Sequence, residues 1–94
     1  MAVVLYSARA VEDLARLTDF VAQTSGEVVC LITTAVAVLE RHPLIGRPTG
    51  YGLRELVISR GRTGYLALYR FHPRRDAVWV LRARHQREAG YPDE

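Results

Sequence analysis

The sequence predicts an α+β fold, in which an N-terminal strand is followed by a helical hairpin and then by a three-stranded antiparallel meander. Three runs rich in Val, Leu, Ile and aromatic residues occupy 53–59, 65–71 and 77–84, with short connections that contain Gly, Pro or Asp. Upstream of them, apolar residues recur at three- and four-residue spacing, as in an amphipathic helix. These patterns predict four antiparallel strands and two helices spanning 8–23 and 26–41.

The composition fits one small domain that spans residues 1–94. The single cysteine, Cys30, excludes a disulfide within the chain, so a cytoplasmic setting is the simpler assumption. All 13 basic residues are arginines and stand against 10 acidic ones, which gives a net charge of +3. This excess favours an acidic partner or a phosphate backbone.

The first strand and the first helix follow from a short apolar run and a periodic segment. Residues 2–6 are apolar and too few for the core of a signal peptide, so they are expected to form a strand. Ser7 offers a hydroxyl that caps the next helix, whose charged side chains face water. The apolar stripe of that helix consists of Val11, Leu14, Leu17, Phe20 and Val21.

The second helix is expected to meet another chain. Residues 28–39 contain no charged side chain, and Pro43 ends the segment because the residue before a proline avoids helical angles. The uncharged run is too short to span a bilayer, so no membrane segment is predicted. A helix that is apolar nearly all round cannot bury every side in so small a domain, so Val28, Ile32 and Val36 are expected to contact a partner.

The segment 44–52 is predicted to be a connecting loop, since it is rich in glycine and contains a proline. Its glycines do not form the GxxxxGK[ST] pattern of a phosphate-binding loop. Neither Cys30 nor the histidines have the spacing of metal ligands. The sequence therefore predicts no cofactor and no metal.

Within the meander, alternation assigns side chains to a buried face and to an arginine-bearing face. The arginine face is expected to carry Arg54 and Arg70, with Arg82 or Arg84 as a further candidate. The buried positions are expected to hold Val57, Ile58, Leu68, Val78 and Val80. A charge on a strand is commonly only solvated, which keeps that simpler interpretation open for Arg54 and for its neighbour Glu55.

Four short motifs follow one another over much of the chain. They are His42-Pro43-Leu-Ile-Gly46-Arg-Pro48, Leu53-Arg54-Glu55-Leu56, Gly64-Tyr65 followed by Leu68-Tyr69-Arg70, and Arg84-His85-Gln-Arg87. In order and spacing they resemble the RelE/ParE superfamily of toxins from type II toxin–antitoxin systems, which includes plasmid stabilisation proteins. The resemblance implies two helices packed on one face of the sheet, with the functional residues on the opposite, concave face. It also implies a cognate acidic antitoxin, through which alone the toxin would meet operator DNA.

Members of this superfamily act in two ways. RelE-like members cleave mRNA on the ribosome, with basic side chains and a tyrosine or histidine on the concave face, whereas ParE-like members inhibit DNA gyrase. Such cleavage needs a base near the 2′-hydroxyl, cations at the phosphorus and an acid for the leaving oxygen. By resemblance, the candidate catalytic residues are Arg54, Arg70, His85, Arg87 and Tyr91.

Two apolar residues stand where RelE-like nucleases carry cations. Leu56 replaces the basic residue two positions after Arg54, and Leu66 replaces the arginine that follows the Gly-Tyr pair. Loss of one preorganised cation costs about 10²- to 10³-fold in rate, unless Arg70 takes its place from the same face. We therefore expect a ParE-like toxin that acts on DNA gyrase, with a RelE-like ribosome-dependent mRNA endoribonuclease as the alternative.

The sequence also suggests where the antitoxin and the target bind. The antitoxin is expected to lie against the second helix and the sheet, with acidic groups near Arg54, Arg70 or Arg84. The segment 84–91 is expected to leave the sheet and reach the target, so truncation after Ala83 should abolish toxicity and leave the fold intact. A third interpretation, a non-toxic module that only binds the antitoxin, stays open.

Overall fold

The computed structural model describes residues 1–21, 25–58, 64–88 and 90–91. It has the predicted α+β fold, with one strand, two helices and then a series of antiparallel strands. The elements are β1 (Val3–Tyr6), α1 (Ala8–Val21), α2 (Ser25–Val36), a 3₁₀ helix (Ala37–Glu40), β2 (Arg47–Gly50), β3 (Leu53–Ile58), β4 (Tyr65–His72) and β5 (Ala77–His85).

The two helices occupy the predicted segments. α1 begins after Ser7, whose hydroxyl accepts a hydrogen bond from the Ala10 backbone N–H at 3.0 Å, so the predicted cap is present. α2 covers the uncharged segment, and a single 3₁₀ turn continues it to Glu40. The predicted helical residues 22–23 lie outside the described part of the chain, as does Ser59 at the end of a predicted strand.

The sheet has five strands in the order β1-β5-β4-β3-β2, which corrects the prediction of four antiparallel strands. β3, β4 and β5 form the predicted antiparallel meander, but β1 lies beside β5 in parallel. The helical hairpin carries the chain from one edge of the sheet to the other. The strand reversals that follow bring β5 back alongside β1 in the same direction.

The additional strand, β2, lies in the segment predicted to be a connecting loop. Arg47 and Pro48 pair with Glu55 and Arg54 of β3, and the register shifts before Gly50. Proline and glycine are tolerated because β2 is an edge strand, where a missing N–H donor removes no bond from the interior of the sheet. The glycine and proline signals therefore mark a short edge strand as well as a turn.

The core lies between the helices and one face of the sheet, which we call the helix face. The side chains buried there include Leu17, Val28, Ile32, Val36, Ile58, Tyr69, Val78 and Val80. Burial of Ile58, Val78 and Val80 confirms three of the predicted core positions. The side chains that α1 and α2 supply to this core include Ala10, Leu17, Ile32 and Val36, whereas Val11, which was expected in the apolar stripe of α1, is 55% exposed.

The opposite surface, which we call the open face, carries Glu55, Val57, Leu66, Leu68 and Arg84. Val57 is 44% exposed there, so its predicted burial is wrong, and Leu68 is only half-buried. Strand alternation explains the result, because Val57 follows one core residue and precedes another.

The expectation that Val28, Ile32 and Val36 contact a partner is corrected, because all three side chains are buried in the chain's own core. The outer side of α2 exposes Val29 and Leu31 instead. Within the described residues, no helix combines the length and apolar character needed to cross a membrane.

Candidate functional site

Tyr91 lies across the open face and joins β3 to β5. Its hydroxyl donates a hydrogen bond to Oε2 of Glu55 on β3 at 2.8 Å. The centre of its ring lies 5.3 Å from the guanidinium carbon of Arg84 and 5.6 Å from that of Arg82, both on β5. Because β4 lies between β3 and β5, the phenol spans that strand and covers the middle of the open face.

Glu55 accepts hydrogen bonds from two directions. Arg47 on β2 donates from Nη2 to Oε1 at 2.6 Å, and Tyr91 occupies Oε2. Burial raises the pKa of the Glu55 carboxyl, but the hydrogen bonds from these two side chains outweigh burial and hold the pKa below its usual range. Glu55 is therefore a buried, ionised carboxylate and not a solvated surface charge.

Tyr91 is kept in its neutral form. Burial and the hydrogen bond to the Glu55 carboxylate raise the pKa of the phenol well above its ordinary value, against the opposing charge of Arg84. A neutral phenol donates a hydrogen bond but does not act as a base at neutral pH. In this arrangement, Tyr91 is a donor that holds the C-terminal segment on the sheet.

A second charged cluster lies at the edge of β5. Asp13 of α1 is buried and accepts hydrogen bonds from Arg82 Nε at 2.8 Å and from the Ala83 backbone N–H at 2.9 Å. Arg16 forms ion pairs with both Asp13 and Glu88. Burial raises the pKa of Asp13, but the hydrogen bonds from these groups outweigh it, so that the pKa of this carboxyl lies below its usual value.

Arg84 shapes the segment that follows β5. Its Nη1 donates to the Glu88 backbone carbonyl at 2.7 Å, and Oε1 of Glu88 accepts from the His85 backbone N–H at 2.9 Å. Among the described residues, Nε of Arg84 is buried without a hydrogen-bond partner. These contacts bend the chain after β5 so that Tyr91 returns over the open face.

The C-terminal segment packs on the fold, which corrects the expectation that it leaves the sheet. Arg84 and His85 still pair with β4, and Tyr91 covers the open face. Truncation after Ala83 would remove two paired strand residues and uncover Glu55. We therefore expect the truncated chain to be less stable, and point substitutions are the better probes of this segment.

Arg54 and Arg70 lie on opposite faces, so the expectation of one arginine face is wrong. Arg54 pairs with Tyr69, the neighbour of Arg70, and strand alternation turns the two arginines apart. Arg54 donates to two carbonyls of the loop before β2, and Arg70 donates to the carbonyl of Tyr51. Both arginines hold loops, while their roles in catalysis or antitoxin binding stay predictions.

His85 lies on the helix face, where its ring meets Tyr65 edge-on at a centroid distance of 5.2 Å. The His85 residue is buried, and its Nδ1 accepts a hydrogen bond from the Arg87 backbone N–H at 3.1 Å. Arg87 itself is exposed. His85 and Tyr91, the two candidates for proton transfer, therefore lie on opposite faces of the sheet.

Several residues that organise this site were not among the candidates, namely Asp13, Arg47 and Glu88, and the expectation that Asp13 faces water with the other charges of α1 is wrong. Single charges on a helix, an edge strand and a tail are ordinarily solvated, which hides their role. Asp13 did carry a signal, because it lies three residues after Ala10 and four before Leu17, on the apolar side of α1. Within the described ranges, no three His, Cys, Asp or Glu side chains come together as metal ligands do.

The chain is similar to toxins of type II toxin–antitoxin systems. The model of a family described as ParE toxin of type II toxin-antitoxin system, parDE, matches residues 4–90. Toxin RelE3 of Caulobacter vibrioides is 40% identical over 58 residues, which make up 62% of this chain and 61% of that protein. The match thus spans less than two thirds of that relative's length.

Solved structures with a similar fold include two toxin–antitoxin complexes. For the RelBE2 complex of Mycobacterium tuberculosis, the TM-score is 0.65 at 26% identity, and the match covers 90% of this chain and 98% of that chain. The E. coli RelBE complex gives a TM-score of 0.63 at 15% identity, covering 88% and 94%. A metal-bound toxin from Helicobacter pylori gives 0.56 at 14% identity, covering 96% and 100%. At these lower identities, the last two comparisons show the fold alone.

Proposed function

Because the chain belongs to the ParE toxin family of type II toxin–antitoxin systems, we propose that it stops growth by inhibiting DNA gyrase and is neutralised by a cognate antitoxin. The family supplies the toxin class and the antitoxin partner, and the choice of gyrase over mRNA depends on the open face. Gyrase acts in the cytoplasm, so we propose that the toxin acts there. Contact with operator DNA is proposed only through the antitoxin.

The observation that most supports a protein target is the internal pairing of the arginines at the open face. Arg47 donates to Glu55, and Arg82 donates to Asp13. A nuclease needs cations that meet the phosphate as charge develops in the transition state. Here those donors are already bound to carboxylates, and the ionised Glu55 beside the Tyr91 hydroxyl would repel a phosphate placed there.

The positions of the other candidate residues also support gyrase inhibition over mRNA cleavage. Leu66, which stands where RelE-like nucleases have an arginine, is buried on the open face. Arg70 lies on that face but donates to the Tyr51 carbonyl at 3.1 Å. Because His85 is buried on the helix face, a base and an acid from this set do not converge on one surface.

RNA cleavage is the second candidate, and one observation favours it. Arg84 keeps a buried Nε without a hydrogen-bond partner among the described residues, next to a neutral phenol that is able to donate a proton. A cation beside an acid is part of what phosphodiester cleavage requires. Such a nuclease would have to displace Tyr91 from Glu55 before a phosphate could approach.

Inducible expression of the toxin, alone and with its antitoxin, tests the proposal. We expect growth arrest that the antitoxin relieves, with mRNA in the arrested cells free of new ribosome-linked 5′ ends. Ribosome-dependent cuts that disappear in Arg70→Ala would overturn gyrase inhibition and establish the nuclease. Normal growth under expression of a folded toxin would instead establish a module that only binds the antitoxin.

A further inference from the structure

The loop that precedes β2, residues 43–46, is fixed by a buried tyrosine of β4. The Tyr69 hydroxyl donates to the Pro43 carbonyl at 2.7 Å and accepts from the Gly46 backbone N–H at 2.9 Å. A Cβ at Gly46 would lie 2.7 Å from the Tyr69 ring, so this close approach requires glycine. The 43–46 loop is therefore held at both ends by one side chain that solvent does not reach.

Arg54 of β3 fixes the same loop from a second direction. Its Nη1 donates to the carbonyls of Leu44 and Gly46 at 3.0 and 2.7 Å. The Ile45 backbone N–H closes a turn on the His42 carbonyl at 3.1 Å. Together these bonds hold five polar groups of the loop backbone within the chain, so its conformation is set before any partner binds.

The fixed loop displays two adjacent aliphatic side chains to solvent. Leu44 is 57% exposed and Ile45 is 59% exposed. More than half of each side chain stays in contact with water, so the fold gains only part of the free energy that full burial of these residues would provide. A preorganised loop that presents such side chains has the properties of a protein-binding surface. A partner that binds there buries these side chains without the entropic cost of ordering the loop backbone.

Shallow clefts extend this surface on both sides of the loop. Ile45 and Val57 line a cleft of about 310 Å³. Leu44 lines a second cleft of about 280 Å³ with Leu53 and Phe71. Beyond the second cleft, Tyr51 is 95% exposed at the tip between β2 and β3. The exposed apolar groups thus cluster around β2, on both sides of the 43–46 loop, and we call this surface the β2 patch.

The charges around the β2 patch indicate the chemistry of its partner. Arg54 and Arg70 donate to backbone carbonyls, and neither forms an ion pair with a carboxylate among the described residues. Within the part of the chain that the structure describes, no carboxylate pairs with these two charges, which favours acidic groups on the partner. The apolar side chains that line the two clefts favour apolar side chains on the partner.

We infer that the β2 patch is the docking site for an acidic, amphipathic segment of the antitoxin. This inference rests on the toxin–antitoxin part of the proposed function. An exposed apolar surface promotes aggregation in water, so the partner that covers it is the one that stays bound in the resting complex and not a transient target. Pro48 in β2 lacks an N–H donor, so the segment docks through side chains and not by adding a strand at this edge.

The test compares the antitoxin affinities of toxin variants in which similarly exposed aliphatic residues are replaced either inside or outside the β2 patch. The purified antitoxin encoded beside the toxin gene is titrated with the wild-type toxin, with Leu44→Ser/Ile45→Ser and with Val11→Ser on α1. Val11 is 55% exposed and matches the loop residues in exposure. We expect the double variant to bind about tenfold or more weakly and Val11→Ser to bind within about twofold of the wild type. Thermal unfolding of each variant checks that the fold is kept.

A growth assay separates failure of this inference from failure of the proposed function. We expect Leu44→Ser/Ile45→Ser to arrest growth as the wild type does but to escape rescue by the antitoxin. Unchanged antitoxin affinity would overturn the inference, and if growth arrest were lost at the same time the patch would belong to the target. A wild-type toxin that binds the antitoxin through this loop but does not arrest growth would sustain the inference and overturn the proposed function.

Discussion

The Tyr91 hydroxyl donates a 2.8 Å hydrogen bond to Glu55, a residue 36 positions earlier in the chain, and so fastens the C-terminal segment across the open face. The phenol is held neutral and the carboxylate is held ionised, which fixes the direction of the bond. Arg47 completes the arrangement from the edge strand. An ordinary surface tail thus becomes part of the folded domain.

Replacement of Tyr91 by phenylalanine should weaken this attachment and leave the ring in place. The variant loses the hydrogen bond to Glu55 but retains the ring near Arg84, so we expect a loss of about 1 kcal/mol in the free energy of unfolding. Urea denaturation measures the difference. A Tyr91→Phe toxin as stable as the wild type would mean that the bond does not hold the segment.

The stability of the toxin should fall in acid, in part through Glu55. Its pKa in the folded chain lies below the ordinary value of 4.5, so the carboxylate stabilises the fold above that pH and loses this effect as pH falls through the folded pKa. The difference in unfolding free energy between the wild type and Glu55→Gln should therefore be larger at pH 6 than at pH 3. Equal differences at the two pH values would contradict the assigned shift.

Removal of the buried Asp13 carboxylate should destabilise the toxin more strongly. Asp13→Ala leaves Arg82 without its carboxylate partner in a mostly buried position, so we expect a loss of about 3 kcal/mol. Glu12→Ala is the matched control, because Glu12 lies on the exposed side of the same helix and should change stability by about 0.5 kcal/mol or less. Similar losses in both variants would show that Asp13 is not a buried partner of Arg82.

The hydroxyl of Tyr69 should matter more than that of any exposed tyrosine. Tyr69→Phe removes the donor to the Pro43 carbonyl and the acceptor of the Gly46 N–H, so we expect a loss of about 1–3 kcal/mol in unfolding free energy. Tyr51→Phe makes the same chemical change at an exposed side chain and should alter stability by about 0.5 kcal/mol or less. Chemical denaturation of the two variants gives the comparison.

Local patterns in the sequence were sufficient for the helices and for the meander. The apolar spacing of α1, the cap at Ser7 and the apolar runs of β3, β4 and β5 each depend on neighbours along the chain. The pairing of β1 with β5 and of β2 with β3 depends on where the chain returns in space, which no local period encodes. The faces on which Arg54 and Arg70 lie could not be predicted from local patterns either, since only the register of β3 with β4 places the two side chains on opposite faces.

In the candidate site, the contacts that charged residues make with distant parts of the chain could not be predicted from the sequence either. Glu55 has the local signature of a solvated strand residue, and it becomes a buried acceptor only because Arg47 and Tyr91 reach it from distant parts of the chain. The resemblance to the toxin superfamily identified Tyr91 and His85 as candidates for proton transfer. Their separation on opposite faces of the sheet follows from the strand register and from the return of the C-terminal segment.

DNA supercoiling by purified gyrase is the most direct assay for gyrase inhibition by this toxin. Relaxed plasmid, gyrase and ATP are incubated with increasing amounts of purified toxin, and the toxin saturated with its antitoxin is the matched control. We expect free toxin to block the formation of supercoiled plasmid and antitoxin-bound toxin to leave it unchanged. Full supercoiling in the presence of excess free toxin would contradict gyrase as the target.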